Sequence, residues 1–144
     1  MPYSSIAAAR DDILTLFKTA WDAQTPPVPP AIYDNVAAEH PSNAAAWVRV
    51  SVKHNQGAQA TIGGSPGNKR FRHYGLVVVE VFVPTGQGLT AADGYVKVLF
   101  DAFEGKATKG DGAFFYNVRS NEVGQNDNWF QVNVIAEFQW DEVK

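Results

Sequence analysis

The sequence predicts an α+β domain: a mainly antiparallel sheet of about four to five strands with two helices packed on one face. Three observations carry this. Two segments repeat apolar residues at helical spacing, and four runs alternate with period two. Their order is helix, a short strand, two strands, helix, two strands, and antiparallel pairs divided by helices place both helices over one sheet face. A chain of 144 residues predicts a single domain spanning 1–144.

Residues 5–22 read as the first helix, with Ile6, Ile13, Leu14, Phe17 and Trp21 in one stripe. Ser4 or Ser5 can cap it, the hydroxyl accepting a free N–H of the first turn. "TPPVPP" (25–30) ends it, because proline lacks the N–H and restricts the residue before it. "AIYDNV" (31–36) reads as a short edge strand and "EHPSNAA" (39–45) as a loop. "AWVRVSVKH" (46–54) alternates, with Val48, Val50 and Val52 on one side and Trp47, Arg49, Ser51 and Lys53 on the other. The glycines and Pro66 across 55–70 predict a flexible hairpin loop.

"FRHYGLVVVEVFVP" (71–84) has apolar residues on both faces, which predicts a central strand covered on both sides. Thr90, with Asp93 three residues on, reads as the cap of a second helix that ends at Gly105. "AFFYNVRS" (113–120) is a strand, "NEVGQNDN" (121–128) a turn region, and "WFQVNVIAEFQW" (129–140) a long alternating strand.

Composition excludes several functions. There is no cysteine, so disulfide frameworks, zinc-thiolate sites and thiol nucleophiles are absent. A net charge of −3 is not a whole-protein nucleic-acid footprint. The first residues lack the layout of a secretory signal, and no apolar run approaches the ~18 residues of a membrane span. These features predict a soluble product that stays in the cytoplasm of the cell making it.

"IGGSPGNKRFRHYG" (62–75) resembles a phosphate cradle only superficially. A nucleotide loop needs Gly-Lys-Ser/Thr opening onto a helix. Here Asn68 separates Gly67 from Lys69, no Ser/Thr follows, and the next element is a strand. Of the histidines His40, His54 and His73, the last two lie at opposite ends of the hairpin and can face each other. No carboxylate stands at metal-ligand spacing, and strand-end histidines are mostly surface residues. "GDG" (110–112) and "NDN" (126–128) do not continue into a calcium loop. The reading assigns no catalytic, metal or cofactor-binding residues and no enzymatic activity.

Three pieces in order resemble the tail terminator (tail completion) proteins of long-tailed bacteriophages. The first is "IAAARDDILTLF" with its proline-rich exit. The second is "FRHYGLVVVEVFVPTGQGLTAADGYVKVLFDAFEG", with Arg-x-x-Gly, Val-Pro, Gly-x-Gly, Ala-Asp and Phe-Glu-Gly in sequence. The third is "NWFQVNVIAEFQWDE", a Trp-x-Gln-x-Asn-Val strand ending in an aromatic and an acidic pair.

The resemblance implies a structural protein of the virion, made in the host cytoplasm and placed at the head-proximal end of the tail of a siphophage. It implies a six-membered homo-oligomeric ring, monomeric in dilute solution, that stops tube growth and joins the tail to the head. Its partners would be the tail tube protein and a neck or head-completion protein. DNA would be cargo passing through, and no membrane or cofactor is involved. A neck protein, a tube subunit or a small ligand-dependent enzyme are the alternatives. Under this reading Arg49, Lys69, Arg70, Arg72 and His73 are the candidate interface residues, meeting acidic surface on a neighbour or the tube, or lining the DNA passage.

Overall fold

The computed structural model describes residues 3–24, 28–34, 36 and 45–144. The expected loop at 39–45, with His40, falls almost wholly outside these residues. Helix α1 spans Ile6–Asp22 and is followed by strands β1 (Ala31–Tyr33), β2 (Trp47–Gln59) and β3 (Arg70–Pro84). Helix α2 (Thr90–Phe103) and strands β4 (Phe114–Asn126) and β5 (Trp129–Val143) complete the chain. The α+β class is as expected: one five-stranded sheet in the order β1-β2-β3-β5-β4, antiparallel except for the β1–β2 pair.

α1 forms because its capping and its periodicity agree. The Ala8 N–H donates to Ser5 Oγ at 3.1 Å. Ala9, Ile13, Phe17 and Trp21 then turn one buried stripe toward the sheet, each large side chain contributing about 1.5–3 kcal/mol by leaving water. Trp21 Nε1 donates to the Pro29 carbonyl at 2.9 Å, which ties Pro29 to the end of the helix. β1 is thereby delivered parallel to β2, and the Val48 N–H reaches the Pro30 carbonyl.

Both helices lie on the sheet face carrying Val50, Val77, Val79, Val81, Val134 and Phe138. β3 is the middle strand, as its double apolar pattern predicts. The expected cover on its second face is local: Phe82 is buried there in a second cluster with Trp47 and Trp129, and the rest of that face has no covering layer among the described residues. Leu76, Val78 and Glu80 are half-buried by cross-strand neighbours rather than by another layer. A wide sheet face can shield side chains laterally, so apolar residues on both faces need not mean two covering layers.

Several boundaries move. The strand expected to stop at His54 runs to Gln59, because its polar continuation pairs with Phe71–Tyr74 past a bulge at His54/Gln56. β4 runs through most of the expected turn, to Asn126, leaving a turn at Asp127–Asn128. Asp127 takes a left-handed φ of 55° there, a conformation Asp tolerates. Thr90 is not the cap of α2. It is the first helical residue, Leu89 precedes it, and no side chain caps that end. Gly105 does follow the helix with the positive φ (68°) that favours glycine.

Candidate functional site at the hairpin neck

β2 and β3 continue beyond the helix-covered sheet as a hairpin arm. Its tip, 60–68, carries no charge, and its single large apolar residue, Ile62, is 97% exposed. Below the tip, β5 runs alongside β3 as far as Arg70↔Val143, so three strands form the neck. The Lys69 and Lys144 backbones exchange both hydrogen bonds, 3.2 and 2.9 Å, and close its top.

The neck collects four of the five sequence-predicted interface residues, Lys69, Arg70, Arg72 and His73. It places them beside two carboxylates that the sequence reading did not single out. Arg72 grips Asp141 with both ends of its guanidinium, Nε to Oδ1 at 2.8 Å and Nη2 to Oδ2 at 3.1 Å. Arg70 Nη1 reaches the same carboxylate at 3.4 Å. His73 Nε2 lies 3.2 Å from Glu142 Oε2, and Lys144 Nζ 3.7 Å from that atom. Hydrogen bonds from Arg72 hold Asp141 below the usual carboxylate range, and the same bonds raise the Arg72 pKa. Among the described residues Lys69 makes no ion pair.

Arg49 does not belong to this cluster. It pairs with Glu80 at 3.5 Å and lies over Trp47 and Phe82, which stack with centroids 4.1 Å apart. Glu80 is eight residues along β3 from Arg72, about 27 Å at ~3.4 Å per residue.

Under the neck sits Trp140, 1% exposed. His73 stacks on it at 4.2 Å, while His54 and Tyr3 meet it edge-on at 5.9 and 5.7 Å. The two hairpin histidines thus flank one indole. Tyr3 is held by Asp12 (2.9 Å) and by Thr108, and burial pushes its phenol up to about 12.

His54 is not the surface residue expected from its place at a strand end. Trp140 Nε1 donates to His54 Nε2 at 3.1 Å, which leaves the ring proton on Nδ1. Burial, with the nearby charges of Arg10 and His73, lowers its pKa from 6.5 to about 4. Above pH 6.5 the ring is neutral both folded and unfolded. As pH falls from about 6.5 to about 4 the unfolded chain takes up a proton that the folded chain refuses, so stability falls with pH. Urea midpoints measured between pH 7 and 4 are expected to decline, and His54→Gln to flatten that decline; an unchanged slope in the variant contradicts the assignment.

The neck is an arrangement for holding strands and presenting charge. Among the described residues no three His, Asp or Glu side chains form a metal-binding group. A solved structure is similar to this chain with a TM-score of 0.65 at 20% identity, covering 94% of this chain and 96% of the other. At that identity the likeness concerns the fold. No curated protein matches the chain. The family model described as phage tail terminator protein matches residues 7–137, from the first turn of α1 into β5. Since that match takes in both helices and nearly the whole sheet, the chain belongs to the phage tail terminator protein family.

Proposed function

We propose that this protein caps the head-proximal end of the tail tube as a six-membered ring, stops tube growth and forms the joint to the head. The family match over residues 7–137 carries the reading: it makes the chain a structural protein of the phage tail, located in the virion. In this reading the tube protein and a neck or head-completion protein are its partners, no catalysis is involved, and DNA only passes through.

The hairpin arm supplies the contact. Its uncharged tip offers little apolar area beyond Ile62, while ordering costs roughly 1–2 kcal/mol per residue. It stays mobile in the free subunit and orders against a neighbour or the tube. Lys69, which makes no ion pair among the described residues, is available to meet a partner carboxylate. Arg70, Arg72 and His73 contribute by exchanging Asp141 and Glu142 for partner groups, and Arg49 marks a separate contact at the other end of the sheet.

The test is tube polymerisation with and without the protein in less than equimolar amount, followed by electron microscopy. We expect shorter tubes of narrower length distribution, each with a ring at one end, and slowed exchange of the 60–68 amides in the ring. Tubes that elongate unchanged overturn the reading. Open-ended polymers of the protein itself would identify a tube subunit instead, since a terminator must close.

A further inference from the structure

The sheet ends in two unlike edges. β4 pairs with β5 over Phe114–Asn126; on its other side Ala107 bridges Phe114 and the Phe115 N–H reaches the Lys106 carbonyl at 3.2 Å, and from Tyr116 to Asn126 no strand lies there among the described residues. At the opposite side β1 covers β2 only at Val48–Val50, and the Asp34 N–H closes on the Val50 carbonyl at 3.2 Å. From Val52 to Gln59, β2 has β3 on one side and, among the described residues, no strand on the other. The Val52 carbonyl is met by Arg10 Nη2 at 3.4 Å, at the mouth of a groove of ≈ 440 Å³ that Leu14, Tyr33 and Val36 also line. Uncovered strand backbone is a template for another strand.

The geometry points to strand addition between copies: the β4 edge of one subunit pairs with the Val52–Gln59 edge of the next, so that neighbours share one continuous sheet. This rests on the ring reading above and specifies its subunit contact. Three observations favour a second copy as the occupant. First, joining unlike edges is a head-to-tail contact, the kind that closes into rings, whereas β4 against β4 would stop at a two-fold dimer.

Second, the strand directions agree. β2, β3, β5 and β4 are successively antiparallel, so β4 runs antiparallel to β2 within one chain. A copy rotated about an axis along the strands keeps that direction and presents β4 antiparallel to its neighbour's β2. Third, of the seven exposed large apolar side chains among the described residues, three lie on β4: Phe114 (44%), Tyr116 (50%) and Val123 (51%). A fourth, Val36 (58%), lines the groove beside the β2 edge. Bulges at Phe115/Asn117, Glu122/Gly124 and His54/Gln56 interrupt both edges, a device that discourages indiscriminate pairing of free subunits.

Hydrogen exchange of the full chain, as free subunit and as ring, tests the inference. Peptides from β4 and from Val52–Gln59 are expected to slow together, at least tenfold, on assembly. The variant Tyr116→Lys/Val123→Lys places lysines where the free subunit exposes about half of each side chain. It should keep the native melting temperature within a few degrees yet remain monomeric by sedimentation at concentrations where the native protein forms rings. A ring in which either edge exchanges as fast as in the free subunit overturns the strand pairing and leaves the ring reading standing. So does a variant that assembles normally, whereas a native dimer protected at β4 alone overturns the strand pairing and the ring reading together. Failure of the native protein to form any ring, even on the tube, removes the ring reading and this contact with it.

Discussion

Trp140→Ala is expected to destabilise the protein by about 3–5 kcal/mol, the range for deleting a large buried aromatic. The indole is 1% exposed and is the meeting point of four segments: Tyr3 before α1, His54 on β2, His73 on β3 and its own strand β5. Three of those are held in register by backbone ladders, so none can move in to fill the space. The substitution also leaves His54 Nε2 without its donor, adding the cost of an unpaired buried acceptor. At roughly 2–4 °C per kcal/mol for a domain of this size, the melting temperature should fall by about 6–20 °C. Trp140→Phe, which keeps an aromatic ring for His73 to stack on, should retain more than half of the lost stability. A loss under about 1 kcal/mol for the alanine variant would show that the neck can collapse around the gap.

Gly75→Ala is the second large effect, expected at about 3 kcal/mol although it adds only a methyl group. Gly75 faces His54 on β2 and Phe138 on β5. A Cβ there would stand 2.5 Å from Phe138 Cζ and would collide with the Lys53 carbonyl oxygen. The carbonyl belongs to a paired strand and cannot swing away, while Phe138 is fully buried between His54 and Phe115. Close approach, not an unusual φ, is therefore what requires glycine. Adding Phe138→Leu should recover part of the loss, since the two positions share one clash, but not all of it, because the carbonyl remains. Gly63→Ala is the control: a Cβ there meets nothing within 4 Å, and the midpoint should move by less than about 0.5 kcal/mol. Equal urea midpoints for Gly75→Ala and Gly63→Ala would refute the packing argument.

Much of the architecture was legible in the sequence because local pattern and tertiary outcome coincide. The Ile13–Phe17–Trp21 stripe, the odd-numbered valines of β3 and the even-numbered apolar run of β5 each name their buried face unaided. The Ser5 cap and Gly105 mark helix ends through bonds and backbone preferences that act within a few residues. The family resemblance was carried by these same segments, and the match over 7–137 bears it out.

Strand length was a different matter. "NQGAQ" and most of "NEVGQNDN" have turn composition, yet they extend β2 and β4, because β3 and β5 offer backbone partners that no local pattern announces. The candidate site was half legible for a related reason. A cluster of basic residues at 69–73 can be read directly, but its carboxylates lie about 70 residues further along the chain, at Asp141 and Glu142. His54 looked like a surface residue and is instead neutral against Trp140, 86 positions away. Side-chain chemistry and short-range periodicity belong to the chain as written. Which strand ends are paired, which charges are already neutralised and which sheet edges stay open depend on contacts between distant segments, and those exist only once the sheet has closed around its core.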